Sequence, residues 1–185
     1  MEQNKTRFYL IRHGETDWNK GGRYQGCTNI QLNDAGREQA RLLGERFKFL
    51  PLDVLAAAHG LTPIQDAHFR EINFGEWEGH TIAELKEKYG KAYIDFFENP
   101  FDHPVPGEGS FQNAMDRALE GFEALAERHK GQNVAIVSHG GLLRVMLVGL
   151  LGMGDEFYRK TWMKNTSVTM LDVMEDGRKL LMTLK

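Results

Sequence analysis

Two histidines stand in the same local setting, Arg12-His13-Gly14 and Ser138-His139-Gly140, each at the end of a short apolar run. Imidazole can attack phosphorus directly and is among the side chains that form covalent intermediates. It must be neutral at the attacking nitrogen, a condition that a hydrogen bond at its other nitrogen secures. A second imidazole and an arginine beside it would stabilise charge on the equatorial oxygens of a phosphoryl group, which is most of what a protein contributes to phosphoryl transfer. The paired donors of Arg12 suit that task. The glycines let the backbone turn sharply and approach a ligand, and the helix after each pair would aim its positive end at an anion.

An alkoxide leaves poorly near neutral pH, so a general acid is also required. The segment Phe69-Arg70-Glu71-Ile72-Asn73-Phe74-Gly75-Glu76-Trp77-Glu78-Gly79 offers three carboxylates. Glu71 sits between apolar neighbours just after an expected strand, where partial burial favours the protonated form. Glu76 and Glu78 flank Trp77 on a glycine-bounded turn, where at least one is expected to be solvated. Metal ligation finds no support: the seven histidines show no close-spaced ligand pattern, and Cys27 is the only cysteine. Neither a P-loop nor a G-x-G-x-x-G fingerprint occurs, so no nucleotide cofactor is expected. Trp162 and the methionines are expected in the core.

The elements that must position these residues can be read from the pattern. Phe8-Tyr9-Leu10-Ile11 and Val134-Ala135-Ile136-Val137 read as buried strands. From Asn33, an N-cap residue type, Gly36, Ala40, Leu43, Phe47 and Leu50 recur at helical spacing; from Ser110 a second set runs through Phe111, Met115, Ala118, Phe122 and Leu125. Leu142 to Leu151 is an apolar helix, and residues 167–173 and 179–184 form a closing strand pair around Glu175-Asp176-Gly177. Apolar strands alternating with helices imply a single α/β domain over residues 1–185, a three-layer α/β/α sandwich with a mostly parallel sheet. Its ligand crevice would lie beyond the carboxyl ends of the strands, where both histidines fall.

Composition bounds the partners. With 185 residues, 41% apolar and 26% charged, the chain suits one globular domain. Its net charge of −3 argues against nucleic acid, yet residues 1–50 carry nine Lys and Arg against six Asp and Glu, enough to serve a small anion. No run approaches the roughly 18 apolar residues of a membrane span, and Met1 to Thr6 has no apolar block of the signal-peptide kind, so a cytoplasmic protein without membrane contact is expected. The oligomeric state is not legible, and a homodimer is left open.

In order along the chain, Leu10-Ile11-Arg12-His13-Gly14-Glu15-Thr16, Asn19, Gln25-Gly26, Leu32-Asn33-Asp34-Ala35-Gly36, Phe69-Arg70-Glu71, Phe74-Gly75-Glu76-Trp77-Glu78-Gly79, Pro106-Gly107-Glu108-Gly109-Ser110 and Val137-Ser138-His139-Gly140-Gly141 resemble the histidine phosphatase superfamily, the phosphoglycerate-mutase-like proteins. The resemblance implies that His13 is the phosphorylated nucleophile, that Arg12 and His139 bind the phosphoryl group, and that Glu71 donates the proton. It also implies that Asn19 and the backbone near Gly140 touch the phosphate, that Gln25 lines the pocket, and that water then attacks the phosphohistidine.

One stretch departs from both readings. Asp53-Val54-Leu55 and Pro63-Ile64-Gln65 read as strands, yet only residues 56–62 separate them, and a parallel crossover needs a dozen or more residues. At the same place the resembling proteins carry a helix beginning S-x-x-x-R-A-x-x-T-A, whose arginine is a second phosphate ligand, and no such motif occurs between Val54 and Ala67. The expectation is that the natural chain carries further residues here, which an intact mass of 21.1 kDa would refute. A real deletion of that arginine would cost several kcal/mol of transition-state stabilisation.

Residues 90–109, the expected lid, hold Lys91 against Asp95, Glu98, Asp102 and Glu108, a poor clamp for the second phosphate that a mutase must retain. Tyr93, Phe96, Phe97 and Phe101 either suit an apolar substrate body or pack the lid onto the domain. The resemblance is nearest to bacterial phosphatases acting on α-ribazole 5′-phosphate and their broad-specificity relatives. The expected partner is therefore a small phosphate ester. A phosphoglycerate mutase and a non-catalytic phosphate binder remain the alternatives.

Overall fold

The computed structural model describes residues 5–53 and 64–184. Four strands, β1 (Lys5–Arg12), β2 (Asn133–Ser138), β3 (Val168–Met174) and β4 (Lys179–Leu184), form a sheet in the order β2-β1-β3-β4. Around it lie α1 (Asp17–Lys20), α2 (Asp34–Phe47), α3 (Ile82–Tyr89), α4 (Lys91–Glu98), α5 (Phe111–Arg128), α6 (Gly140–Leu151) and α7 (Glu156–Lys160). The α/β class stands. Among the described strands the sheet is mixed: β1 and β2 are parallel, whereas β3 returns antiparallel to β1 and β4 antiparallel to β3. The short Glu175-Asp176-Gly177 turn dictates that last pairing, because only an antiparallel partner can follow so tight a connection. The proposed strands at residues 53–55 and 63–65 fall largely outside the described residues; Ile64 and Gln65 belong to no strand.

Alternation along β1 sends side chains into two layers. Phe8 and Leu10 join Val134, Ile136 and Leu171 against α5 and α6, while Tyr9, Ile11 and Val168 meet Phe47 of α2 on the opposite face. Burial of each such side chain contributes about 1.5–3 kcal/mol. On β2 the expectation of a strand buried along its length is only half met, since Val137 is 50% exposed.

Capping residues fix where the helices begin. The Asn33 side chain accepts from Gly36 N–H to start α2, and Ser110 accepts from Asn113 N–H to start α5. Helix α6 is buried on nearly every side and ends at Gly152 in the left-handed conformation. It starts differently, because His139 occupies the N-cap position without a side-chain capping bond. No helix of the described residues is long and apolar enough to cross a membrane.

Candidate active site

Parallel pairing puts Arg12 opposite Ser138, so the residues that follow, His13 and His139, leave the sheet at the same rim. The His13 N–H donates to the Ser138 carbonyl at 2.9 Å, continuing the ladder past the strand. The two imidazoles stand 4.8 Å apart between centroids, inclined at 62°.

His13 Nδ1 lies 2.7 Å from the Gly14 carbonyl. A carbonyl only accepts, so Nδ1 carries the proton in that bond and Nε2 keeps its lone pair. Burial first, and then the neighbouring His139, lower the His13 pKa from 6.5 to about 4. The ring is therefore neutral at pH 7. Its main chain is fixed as firmly: Asn165 Nδ2 donates to the His13 carbonyl at 3.0 Å, and Thr166 N–H donates to the Arg12 carbonyl at 2.9 Å. Thr166 has φ 56°, a conformation uncommon for a residue other than glycine.

Arg12 donates from Nη1 to the Met163 carbonyl at 2.7 Å, while its buried Nε has no partner among the described residues. Burial lowers its pKa; the Glu71 charge opposes this and Arg144 adds to it. An anion beside Arg12 would offset that desolvation.

Glu71 follows a 3-10 turn, Ala67–Phe69, rather than the expected strand, and is 9% exposed. Oε1 accepts from Ile72 N–H at 2.9 Å and Leu142 N–H at 2.8 Å, and Oε2 accepts from Gly141 N–H at 3.1 Å. The carboxylate thus supplies, from a distant loop, the cap that α6 lacks. A carboxylate has about four acceptor sites, so one remains, on Oε2. Glycine leaves room where it docks: a Cβ on Gly141 would meet Glu71 Oε1 at 2.8 Å and displace the carboxylate, and one on Gly140 would press on Arg12 Nε at 3.1 Å. The Gly140 N–H, at the first position of α6, has no intrahelical acceptor and is free for a ligand.

Asn19 and Gln25 form the facing wall. Gln25 Oε1 accepts from Thr16 Oγ1 at 2.8 Å and Asn19 Nδ2 at 3.3 Å, and Asn165 Nδ2 reaches Asn19 Oδ1 at 3.3 Å. Of the other acids, Glu76 is exposed, whereas Glu78 accepts from the N–H groups of Cys27, Thr28 and Phe74 and staples the Gly26 loop.

All seven residues singled out from the sequence, His13, Glu71, His139, Arg12, Asn19, Gln25 and Gly140, line one cavity of about 110 Å³. It opens into a cleft of about 750 Å³ that shares Arg12, Glu71 and Arg144 with it. Three participants were not anticipated. Trp162, expected in the core, is 72% exposed and walls both spaces. Asn165 holds the His13 backbone. Arg144 is the single charged residue in Leu142 to Leu151, a signal the sequence carries. The expected lid divides: Tyr93 and Phe96 are buried in the main core, while Phe97 is 44% exposed beside the cleft.

A neutral imidazole beside a second ring, an arginine and a helix N-terminus is an arrangement chemically suited to binding a phosphoryl group. Residues 8–184 match the histidine phosphatase superfamily (branch 1), and the chain belongs to that family. It is a metal-independent phosphatase. It is 30% identical over 193 residues to phosphoserine phosphatase 1 of Hydrogenobacter thermophilus, covering 96% of this chain and 91% of the relative. That aligned stretch is longer than the 185 residues here, so the relative carries residues this chain lacks. A mutant phosphoserine phosphatase from Entamoeba histolytica in complex with phosphoserine superposes with a TM-score of 0.84 at 28% identity, over 97% and 96% of the two chains. The α-ribazole phosphatase of Shigella flexneri gives 0.82 at 26%, over 96% and 95%.

Proposed function

We propose that this chain hydrolyses a small phosphate monoester through a phosphohistidine on His13. The reading rests on one observation above all: Nδ1 of His13 is committed to the Gly14 carbonyl, so Nε2 keeps its lone pair on a ring that lines the pocket beside that of His139. Nε2 attacks phosphorus and forms the P–N bond while the P–O ester bond breaks. Arg12, His139 and the Gly140 N–H stabilise the oxygens, and Glu71 delivers a proton from Oε2 to the departing alkoxide. Water then attacks phosphorus, Glu71 takes its proton, and the P–N bond breaks to release phosphate and neutral His13.

The substrate reading drawn from the sequence is α-ribazole 5′-phosphate, and the Shigella neighbour supports it. The Hydrogenobacter relative and the Entamoeba neighbour support phosphoserine. The cleft favours the second of these, because six cations, Arg12, Arg23, Arg144, Arg159, Lys160 and Lys164, line it against Glu15 and Glu71 alone. We place this chemistry in the cytoplasm.

The test is release of phosphate from p-nitrophenyl phosphate in the presence of a chelator. Turnover should persist there and fall by on the order of 10⁴ or more in His13→Ala. Phosphate binding without turnover in the wild type would make the chain a binder instead. Interconversion of 3- and 2-phosphoglycerate faster than their hydrolysis would make it a mutase.

A further inference from the structure

We infer that the wide cleft contains a second anion subsite, centred on Arg144 and Lys164, which takes a carboxylate carried by the leaving group; this rests on the phosphatase reading above. Arg144 is half-buried in an otherwise apolar helix, where a charge without compensation is costly. Its Nε and Nη2 donate to the Tyr158 carbonyl, and its guanidinium carbon lies 3.8 Å from the Tyr158 ring centroid and 5.7 Å from that of Trp162. Those contacts orient the group without neutralising it. Two of its five donors are used, and the remaining three, on Nη1 and Nη2, form a fork of the spacing that suits two carboxylate oxygens.

No carboxylate among the described residues forms an ion pair with Arg144 or Lys164. Glu71, which lines the same cleft, has both oxygens bound to backbone donors. Of the other cations in the cleft, Arg23 is tied to Glu84 and the Gly79 carbonyl, and Arg159 to the Glu98 carbonyl. Lys164 stands exposed between Met163, whose carbonyl holds Arg12, and Asn165, which holds His13. Arg144 and Lys164 therefore face the same cleft from α6 and from the segment before β3, one step beyond the phosphoryl pocket. In a protein of net charge −3 this is a local reversal of sign, the arrangement that concentrates an anionic ligand. The segment at residues 90–109 contributes no cation to the cleft.

The matched pair O-phospho-L-serine and O-phosphoethanolamine differ by one carboxylate, so the ratio of their kcat/KM values reads the subsite independently of absolute rate. The wild type should favour phosphoserine tenfold or more. Arg144→Gln should bring the ratio to within about threefold of one, and Lys164→Gln, at an exposed position that does not threaten folding, should lower it by a smaller factor. A wild-type ratio near one, a ratio unchanged in both variants, or α-ribazole 5′-phosphate preferred over phosphoserine would overturn the inference while leaving the phosphatase reading intact. Failure to turn over any ester would remove both.

Discussion

The Glu71 carboxylate caps helix α6 across 71 residues of sequence, accepting from Leu142 N–H at 2.8 Å. The same side chain borders the phosphoryl pocket, so one group serves both the start of a buried helix and the site. Its two duties are separable by experiment.

Glu71→Gln keeps the shape but turns one acceptor into an NH₂ group facing a backbone donor. Stability should fall by about 1–3 kcal/mol. Hydrolysis of alkyl phosphates, whose leaving groups need a proton, should fall by about 10²–10⁴, and that of p-nitrophenyl phosphate far less. Equal losses on both would exclude Glu71 as the proton donor.

Gly141→Ala separates the helix from the chemistry in the other direction. Alanine favours a helix by up to about 1 kcal/mol over glycine, yet its Cβ would press on Glu71 Oε1 at 2.8 Å. A thermal midpoint near that of the wild type, with kcat on alkyl phosphates reduced by about 10²-fold, is expected. Full activity would show that the carboxylate need not sit where it does.

The His13 pKa of about 4 sets the acid limb. Protonated imidazole cannot attack, so kcat/KM, which reports the free enzyme, should hold as pH falls through 6.5 and drop only near 4. Stability follows the same sign: the unfolded chain binds the proton at its ordinary pKa of 6.5, so the contribution is complete above 6.5 and is lost as pH falls toward 4. Titration of the His13 ring itself near 6.5, followed by NMR in the free protein, would mean that the ring is not buried as described.

Glu108 is 4% exposed and binds Arg117 Nε at 3.1 Å, Arg70 Nη2 at 3.2 Å and Asn73 N–H at 3.0 Å. Arg117 in turn donates to the carbonyls of His68 and Arg70, so the pair brackets the segment that carries Glu71. Glu108→Gln should cost about 3 kcal/mol, measured by denaturant unfolding. As a positioning residue it should also lower kcat on alkyl phosphates more than on p-nitrophenyl phosphate. Stability loss with an unchanged ratio would leave it a structural role only.

What the sequence discloses depends on how local the signal is. His13 and His139 were legible because strand, histidine and glycine are adjacent in the chain, and parallel pairing did the rest. Asn33 and Ser110 announced their helices for the same reason. Asn165 and Trp162 gave no such sign, since Asn165 reaches the His13 carbonyl, and Trp162 lines the pocket with Arg12, only across some 150 residues of chain. The lid aromatics left two readings open, and type alone does not separate them: Tyr93 and Phe96 pack in the core with Trp77 and Phe111, while Phe96 and Phe97 also line the cleft. The lid holds few cations, whereas Arg144 reaches the cleft from within an apolar helix.

The placement of β1 at the centre of the sheet has a consequence for biogenesis. This strand is synthesised before its two neighbours, residues 133–138 and 168–174. Closing such distant pairs is slow and exposes apolar edges meanwhile. His13 is therefore translated early and assembled late, and a nascent or truncated chain ending before β3 would carry it without the Asn165 and Thr166 contacts that fix its backbone.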